Sequence, residues 1–222
     1  MQTVPSILEK NSQDLFFQID RLSKYFSRFQ IDIADGIFVP NKTVQIEDIV
    51  DCFSSYSLFP IPYSLTFDFH LMVKDYEKEI EKLEKLRNFI KINLILIHYS
   101  VFPKPYPLNP HPYSFPIGLT LNPRDQVDDL TSHYNLKQIP SIQIMSVVPG
   151  LQGNPFLPET LKKIEQLSVL GYRNKIFLDG AVNDKTLPII NKLKYKPDVI
   201  CPGSFLAKAK DLEKNVEFLK GL

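Results

Sequence analysis

Residues 30–41 read QIDIADGIFVPN. Ile31 and Ile33 alternate with Gln30 and Asp32, the two-residue period of a strand, and Asp35-Gly36 closes the run as a turn. The next segment, TVQIEDIVDCFSSY from Thr43 to Tyr56, has helical spacing. A strand that hands over to a helix is the repeating unit of a parallel sheet. The same stretch carries two acids, Asp32 and Asp35. Each reads equally well as a solvated turn acid or as the rim of a site, so partners have to be sought along the chain.

Outward from this unit the alternation recurs. TVPSIL is strand-like, and SQDLFFQIDRLSKYF has helical spacing, with Ser12 as the expected N-cap. LTFDFHLMV and the charged amphipathic run YEKEIEKLEKLRNFI form a third pair, and INLILIHY is a fourth strand. The pattern then breaks at FPKPYPLNPHPYSFP, which holds Pro103, Pro105, Pro107, Pro110, Pro112 and Pro116. Interior prolines each remove a backbone donor and clash with the preceding turn, so no helix forms there. The pairs resume with PIGLTLN and RDQVDDLTSHY, SIQIMSV and PETLKKIEQLSVLG, KIFLDG and DKTLPIINKLK, DVICPGSFL and DLEKNVEFLKG.

Eight strands and seven helices imply an α/β chain: a single (β/α)8 TIM barrel over residues 1–222, with the connection after strand four replaced by a Pro-rich loop on the outer wall. A doubly wound open sheet is the alternative, but no G-x-G-x-x-G follows the first strand. Composition is that of a globular protein, with 44% hydrophobic and 23% charged residues and a formal net charge of +1. That balance gives no support for nucleic acid or a membrane surface as partner. Cys52 and Cys201 lack metal-like spacing and read as small buried hydrophobes. The N-terminus lacks a basic, then apolar leader, and no run reaches ~18 apolar residues, so a soluble, cytoplasmic protein is expected.

Function in such barrels sits at the C-terminal strand ends. Those ends carry Ser6, Gln30 with Asp32, His70, His98, Asn122, Met145 with Ser146, Asp179, and Gly203 with Ser204. Asp32 lies between two isoleucines, where a charge requires pairing or a metal. Two carboxylates on strands two and seven suit proton removal from one face of a carbon and return on the other. Asp35 and Asp68 are expected to serve structure, by capping loops or meeting backbone amides, and His111 and His133 to be surface residues. The turns VVPGLQGN, DGAVN and PGSF each expose backbone amides at a strand-to-helix junction, the kind of late loop that builds a phosphate site.

PSIL, IDIADGIFVPNKT, DFHLMV, IMSVVPGLQGNPF, LDGAVN and GSF, in this order, resemble the ribulose-phosphate 3-epimerase family over almost the whole chain. The resemblance implies a (β/α)8 barrel that interconverts D-ribulose 5-phosphate and D-xylulose 5-phosphate by metal-assisted two-base proton transfer at C3. It implies that Asp32 and Asp179 are the acid/base pair and that Asp32, His70 and Asp179 hold a divalent metal (Zn, Mn, Fe or Mg). His70 and Ser6 would contact substrate, and Gly150, Gly153, Gly180, Ala181, Gly203 and Ser204 would cradle its phosphate. A symmetric homo-oligomer is expected on general grounds, since most soluble oligomers are symmetric.

Departures from the family pattern fall inside the site. Gln30 stands where a fourth metal ligand, histidine, is usual, and serves as a weak ligand at best. Ala34 replaces a methionine, Gln152 and Ala181 replace glycines, and Tyr99 replaces an acid. If residue 152 or 181 needs positive φ, its Cβ costs roughly 1 to 2 kcal/mol. The two functional expectations are a divergent epimerase, for this or another ketose phosphate, and a degenerate member retained for sugar-phosphate binding or interaction.

Overall fold

The computed structural model describes residues 1–55, 64–102 and 114–221. Most of the Pro-rich loop, with His111, lies outside the described residues, as does the side chain of Cys52. Among the described residues there are nine strands: β1 (Gln2–Thr3), β2 (Ser6–Ile7), β3 (Arg28–Ala34), β4 (Thr66–Met72), β5 (Lys91–His98), β6 (Ile117–Leu121), β7 (Ser141–Met145), β8 (Lys175–Asp179) and β9 (Val199–Cys201). They pair in parallel, in the order β1-β9-β8-β7-β6-β5-β4-β3-β2.

The first two are halves of one expected strand, interrupted at Val4-Pro5. That interruption shows how the sheet closes. Val4 and Ser6 donate their N–H groups to the carbonyls of Ile200 (3.0 Å) and Pro202 (3.2 Å), while the Pro5 carbonyl accepts from Gln30 N–H (2.8 Å) on the other side. Pro5 has no N–H to give and needs none here. Residues 2–7 are thus bonded to both ends of the sheet, which makes an eight-stranded barrel.

The helices are α1 (Ser12–Ser23), α2 (Ile46–Ser55), α3 (Tyr76–Leu86), α4 (Val127–His133), α5 (Lys162–Val169), α6 (Leu187–Asn191), α7 (Ser204–Ala207) and α8 (Leu212–Lys220). Two expectations need correcting. Asn11, not Ser12, caps α1: its backbone is extended and its side chain accepts from Asp14 N–H, so Ser12 is already helical. The last strand stops at Cys201, and Ser204–Ala207 turn into the short helix α7, because after Gly203 the backbone carbonyls of Gly203 and Ser204 bond forward into a helical turn.

Strand periodicity sorts the side chains. Outward positions such as Phe29, Ile31, Phe69, Ile97, Leu119, Ile144 and Leu178 join Leu15, Ile80, Leu83, Leu130 and Ile164 from the helices in one buried cluster. Each fully buried chain of this size contributes about 1.5–3 kcal/mol. Inward positions are far more polar: Gln30, Asp68, His70, His98, Thr120 and Gln143 are all fully buried. At the N-terminal floor Arg28 forks onto Asp68 through Nε (2.8 Å) and a terminal nitrogen (3.1 Å), with its guanidinium over Phe177, and Asn93 also donates to Asp68. Asp68 is therefore structural as expected, though its partners are side chains rather than backbone amides. Cys201 is buried and His133 exposed, as expected. Among the described residues no helix is long and apolar enough to cross a membrane.

Candidate active site

The C-terminal ends of β3, β4 and β8 bring Asp32, His70 and Asp179 together. One ligand atom from each lies within 4.8 Å of the others, and all three residues are buried. Sheet register accounts for the convergence, since Asp32 pairs with His70 on adjacent strands and Asp179 is level with Cys201 on the adjacent strand β9, next to the strand that closes the ring. Asp35, three residues after Asp32, has a different task. It accepts from Ile37 N–H, Phe38 N–H and Lys74 N–H, and these backbone donors outweigh the opposing effect of burial and lower its carboxyl below the usual range.

The convergence of two like charges is managed by neutral donors. Gln30 Nε2 reaches Asp179 Oδ2 at 2.7 Å and Asp32 Oδ1 at 3.0 Å, and Gln143 Nε2 reaches the same Asp179 Oδ2 at 3.2 Å. His70 Nδ1 stands 3.1 Å from Asp32 Oδ1 and 3.7 Å from Asp179 Oδ2. Burial first, and then the Asp32 charge, raise the Asp179 carboxyl from 3.8 to about 7.

Behind this group, His70 Nε2 and His98 Nε2 are 2.9 Å apart, and Phe38 packs on the His98 ring. Two ring nitrogens at this distance share one proton. When His70 Nδ1–H donates to Asp32, His98 carries the shared proton on Nε2; a cation on His70 Nδ1 would reverse this and leave that proton on His70 Nε2. Burial and then the His70 ring hold the His98 pKa well below its usual value, so it is a neutral support. Cys201 donates to Gln30 Oε1 (3.5 Å), and burial and then the nearby carboxylates push its thiol well up, so it is no nucleophile.

The donor set fits a divalent cation: two carboxylates and an imidazole, the oxygen and nitrogen donors that Zn2+, Mn2+, Fe2+ or Mg2+ accept. Gln30 as placed does not offer its oxygen. Its Nε2 faces both carboxylates and its Oε1 faces Cys201, so ligation requires a half-turn of the amide and the loss of three hydrogen bonds.

Asp32, His70 and Asp179 line a cleft of about 540 Å3, which includes its open mouth. Ser6, Gly150, Gly153, Gly180, Ala181, Gly203 and Ser204 line it too. The sequence had placed all of these at strand ends or in late turns. The turns are tightly drawn. Gly180 has φ +107°, and a Cβ there would sit 2.6 Å from Val147; Gly150 has φ +106°, with Val39 at 2.7 Å. Ala181 does adopt positive φ, +50°, whereas Gln152 does not. Gln152 lines the same wall, and its Nε2 is buried without a hydrogen-bond partner among the described residues. Ser146 fixes the end of β8: its N–H and hydroxyl donate to the Asp179 carbonyl (2.7 and 3.0 Å), and the hydroxyl also to that of Gly180 (2.6 Å).

Sequence reading had not singled out Gln143, nor given Cys201 a place at the site. The available signal was alternation, since Gln143 stands two residues before Met145 and one period before the strand end.

A sequence profile described as the ribulose-phosphate 3 epimerase family matches residues 2–205. Among individual relatives, the ribulose-phosphate 3-epimerase of Methanocaldococcus jannaschii is 28% identical, over 86% of this chain and 77% of its own. That of Helicobacter pylori is 28% identical, over 100% and 98%. That of Synechocystis is 31% identical, over 73% and 67%. With a family match that runs nearly end to end, on a barrel whose strand ends gather Asp32, His70 and Asp179, this chain belongs to the ribulose-phosphate 3-epimerase family.

Proposed function

We propose that this chain interconverts D-ribulose 5-phosphate and D-xylulose 5-phosphate, with Asp32 and Asp179 as the two acid/base groups. The observation that carries this reading is the pair of buried carboxylates from β3 and β8, converging beneath a cleft walled by glycine turns. One carboxylate takes the proton from C3. The electron pair of the C3–H bond moves into the C2–C3 bond, and the C2 oxygen takes up negative charge. The other carboxyl group then delivers a proton to the opposite face of C3. A divalent cation held by Asp32, His70 and Asp179 would supply electrophilic stabilisation of that oxygen. The amides at Gly150, Gly153, Gly180, Ala181, Gly203 and Ser204 hold the phosphate, and Ser6 contacts the sugar.

Without a cation, burial and then the Asp32 charge push the Asp179 carboxyl up to about 7, which brings its proton transfer into the range where a general acid/base group works. In D2O, with Zn2+, Mn2+, Fe2+ or Mg2+ supplied in turn, D-ribulose 5-phosphate is expected to take up deuterium at C3 and yield D-xylulose 5-phosphate, followed by NMR. Absence of both exchange and inversion with every metal would overturn the proposal.

A further inference from the structure

The geometry points to Gln143 as a positioning residue that aims the Asp179 carboxylate at the reacting carbon. This inference rests on the epimerase reading. Gln143 is fully buried inside the barrel on β7, one strand from Asp179. Its Nε2 donates to Asp179 Oδ2 (3.2 Å) and touches Met145 Sδ (3.6 Å). From the far side, Gln30 Nε2 donates to the same oxygen at 2.7 Å. Two neutral amides, on β3 and β7, thus grip one carboxylate oxygen from two sides, and they fix its direction without neutralising its charge.

A purely structural account of Gln143 is weak. Its Oε1 is buried and has no hydrogen-bond partner among the described residues. A buried unsatisfied oxygen costs stability, and an apolar side chain of similar volume would fill the same space without that cost. The amide cannot relieve the defect by turning over, because its oxygen would then face a carboxylate. Apart from a weak contact with the Met145 thioether, the bond that the residue gains is the one to Asp179. A reacting group displaced by about 1 Å can lose a factor near 100 in rate, so the direction of that carboxylate matters to the chemistry.

The test compares the metal-supplemented wild-type protein with Gln143→Met, and with Gln143→Leu as a second apolar variant, on each of the two epimers in D2O. With Asp179 misdirected and Asp32 intact, inversion is expected to fall roughly 10- to 100-fold. One epimer, whose proton Asp32 removes, should still take up deuterium from solvent with little inversion, so the ratio of exchange to inversion rises. KM and inhibition by inorganic phosphate should stay near wild type, and the melting temperature should not fall. A structural defect would lower exchange and inversion together and leave their ratio unchanged. That result, or unaltered inversion, overturns the role of Gln143 while leaving the epimerase reading intact. A wild-type protein that neither exchanges nor inverts either epimer overturns both.

Discussion

The barrel interior holds two groups of buried carboxylates, and they are built on opposite principles. At the floor Asp68 is matched by Arg28 through two hydrogen bonds and by Asn93 through a third. At the mouth Asp32 and Asp179 meet each other, with only amides and imidazoles as partners. The two groups are neighbours: Gln30, which serves the mouth, is the register partner of Asp68 on the next strand. Charge is balanced where the barrel needs only to be filled. It is left unbalanced at Asp32, His70 and Asp179, the group that could hold a cation. Floor mutations should therefore change stability, and mouth mutations should change chemistry, even to the benefit of stability.

The sharpest test of that contrast lies at the mouth. Asp32→Asn and Asp179→Asn are each expected to lower inversion by about 100- to 10,000-fold, the range for loss of a general acid or base. The metal-free Asp179→Asn protein should nevertheless be more stable than wild type at pH 8, by about 1–2 kcal/mol, since it no longer confronts Asp32 with a second buried charge. The pH dependence follows from the raised Asp179 carboxyl, at about 7 folded against 3.8. Its proton is bound more tightly in the folded state, so its contribution is full below about pH 4 and is lost as pH rises through 7. Denaturation of both proteins between pH 4 and 8 should show wild type losing ground to Asp179→Asn across that window. Parallel curves would mean that neither burial nor the Asp32 charge raises the Asp179 carboxyl in the folded state.

The reverse is expected at the floor. Asp68→Asn leaves the Arg28 guanidinium, whose side chain is 20% exposed, without its counter-charge; because burial raises the Asp68 carboxyl in spite of Arg28, the cost should fall below that of a fully buried pair, at about 1–2 kcal/mol. Each folded molecule should still exchange deuterium into substrate at the wild-type rate, because Asp68 touches nothing in the cleft. A selective loss of exchange with unchanged stability would abolish the distinction between floor and mouth.

Much of this contrast was legible in the sequence at the mouth and little at the floor. Asp32, His70 and Asp179 stand at the ends of alternating runs, and strand ends in a barrel share one rim, so position along the chain was enough to bring them together. The glycine turns at 150, 180 and 203 were legible for a similar reason, since each lies in the loop that leaves a strand's C-terminal end. Arg28 and Asp68 lie 40 residues apart at strand beginnings, where only the register of β3 on β4 makes them partners. Gln143 escaped attention because a glutamine in SIQIMSV looks like an interruption of a buried run. Its meaning depends on an acid contributed by the next strand. α7 was hidden because FL after Gly203-Ser204 is as apolar as a strand and too short to show a helical period.

The smallest effect expected concerns strain, which also collects at the mouth. Ala181 is the one non-glycine at positive φ among the described residues, at +50°. Its carbonyl is held by Asn183 Nδ2 (2.9 Å) and the Thr186 hydroxyl (2.7 Å), so the turn cannot relax without losing both bonds. A Cβ in this region costs about 1–2 kcal/mol, and glycine restores about 0.4–1 kcal/mol of unfolded-state entropy to be lost on folding. Ala181→Gly should thus stabilise the protein by about 0.5–1 kcal/mol, which raises the melting temperature by roughly 1–4 °C in a chain of this size. KM for the ketose phosphate should not increase, since the backbone amides of the turn keep their direction. A lower melting temperature would show that the alanine methyl packs favourably enough to offset the strain, and the turn would then be a supporting element of the barrel rather than a strained rim.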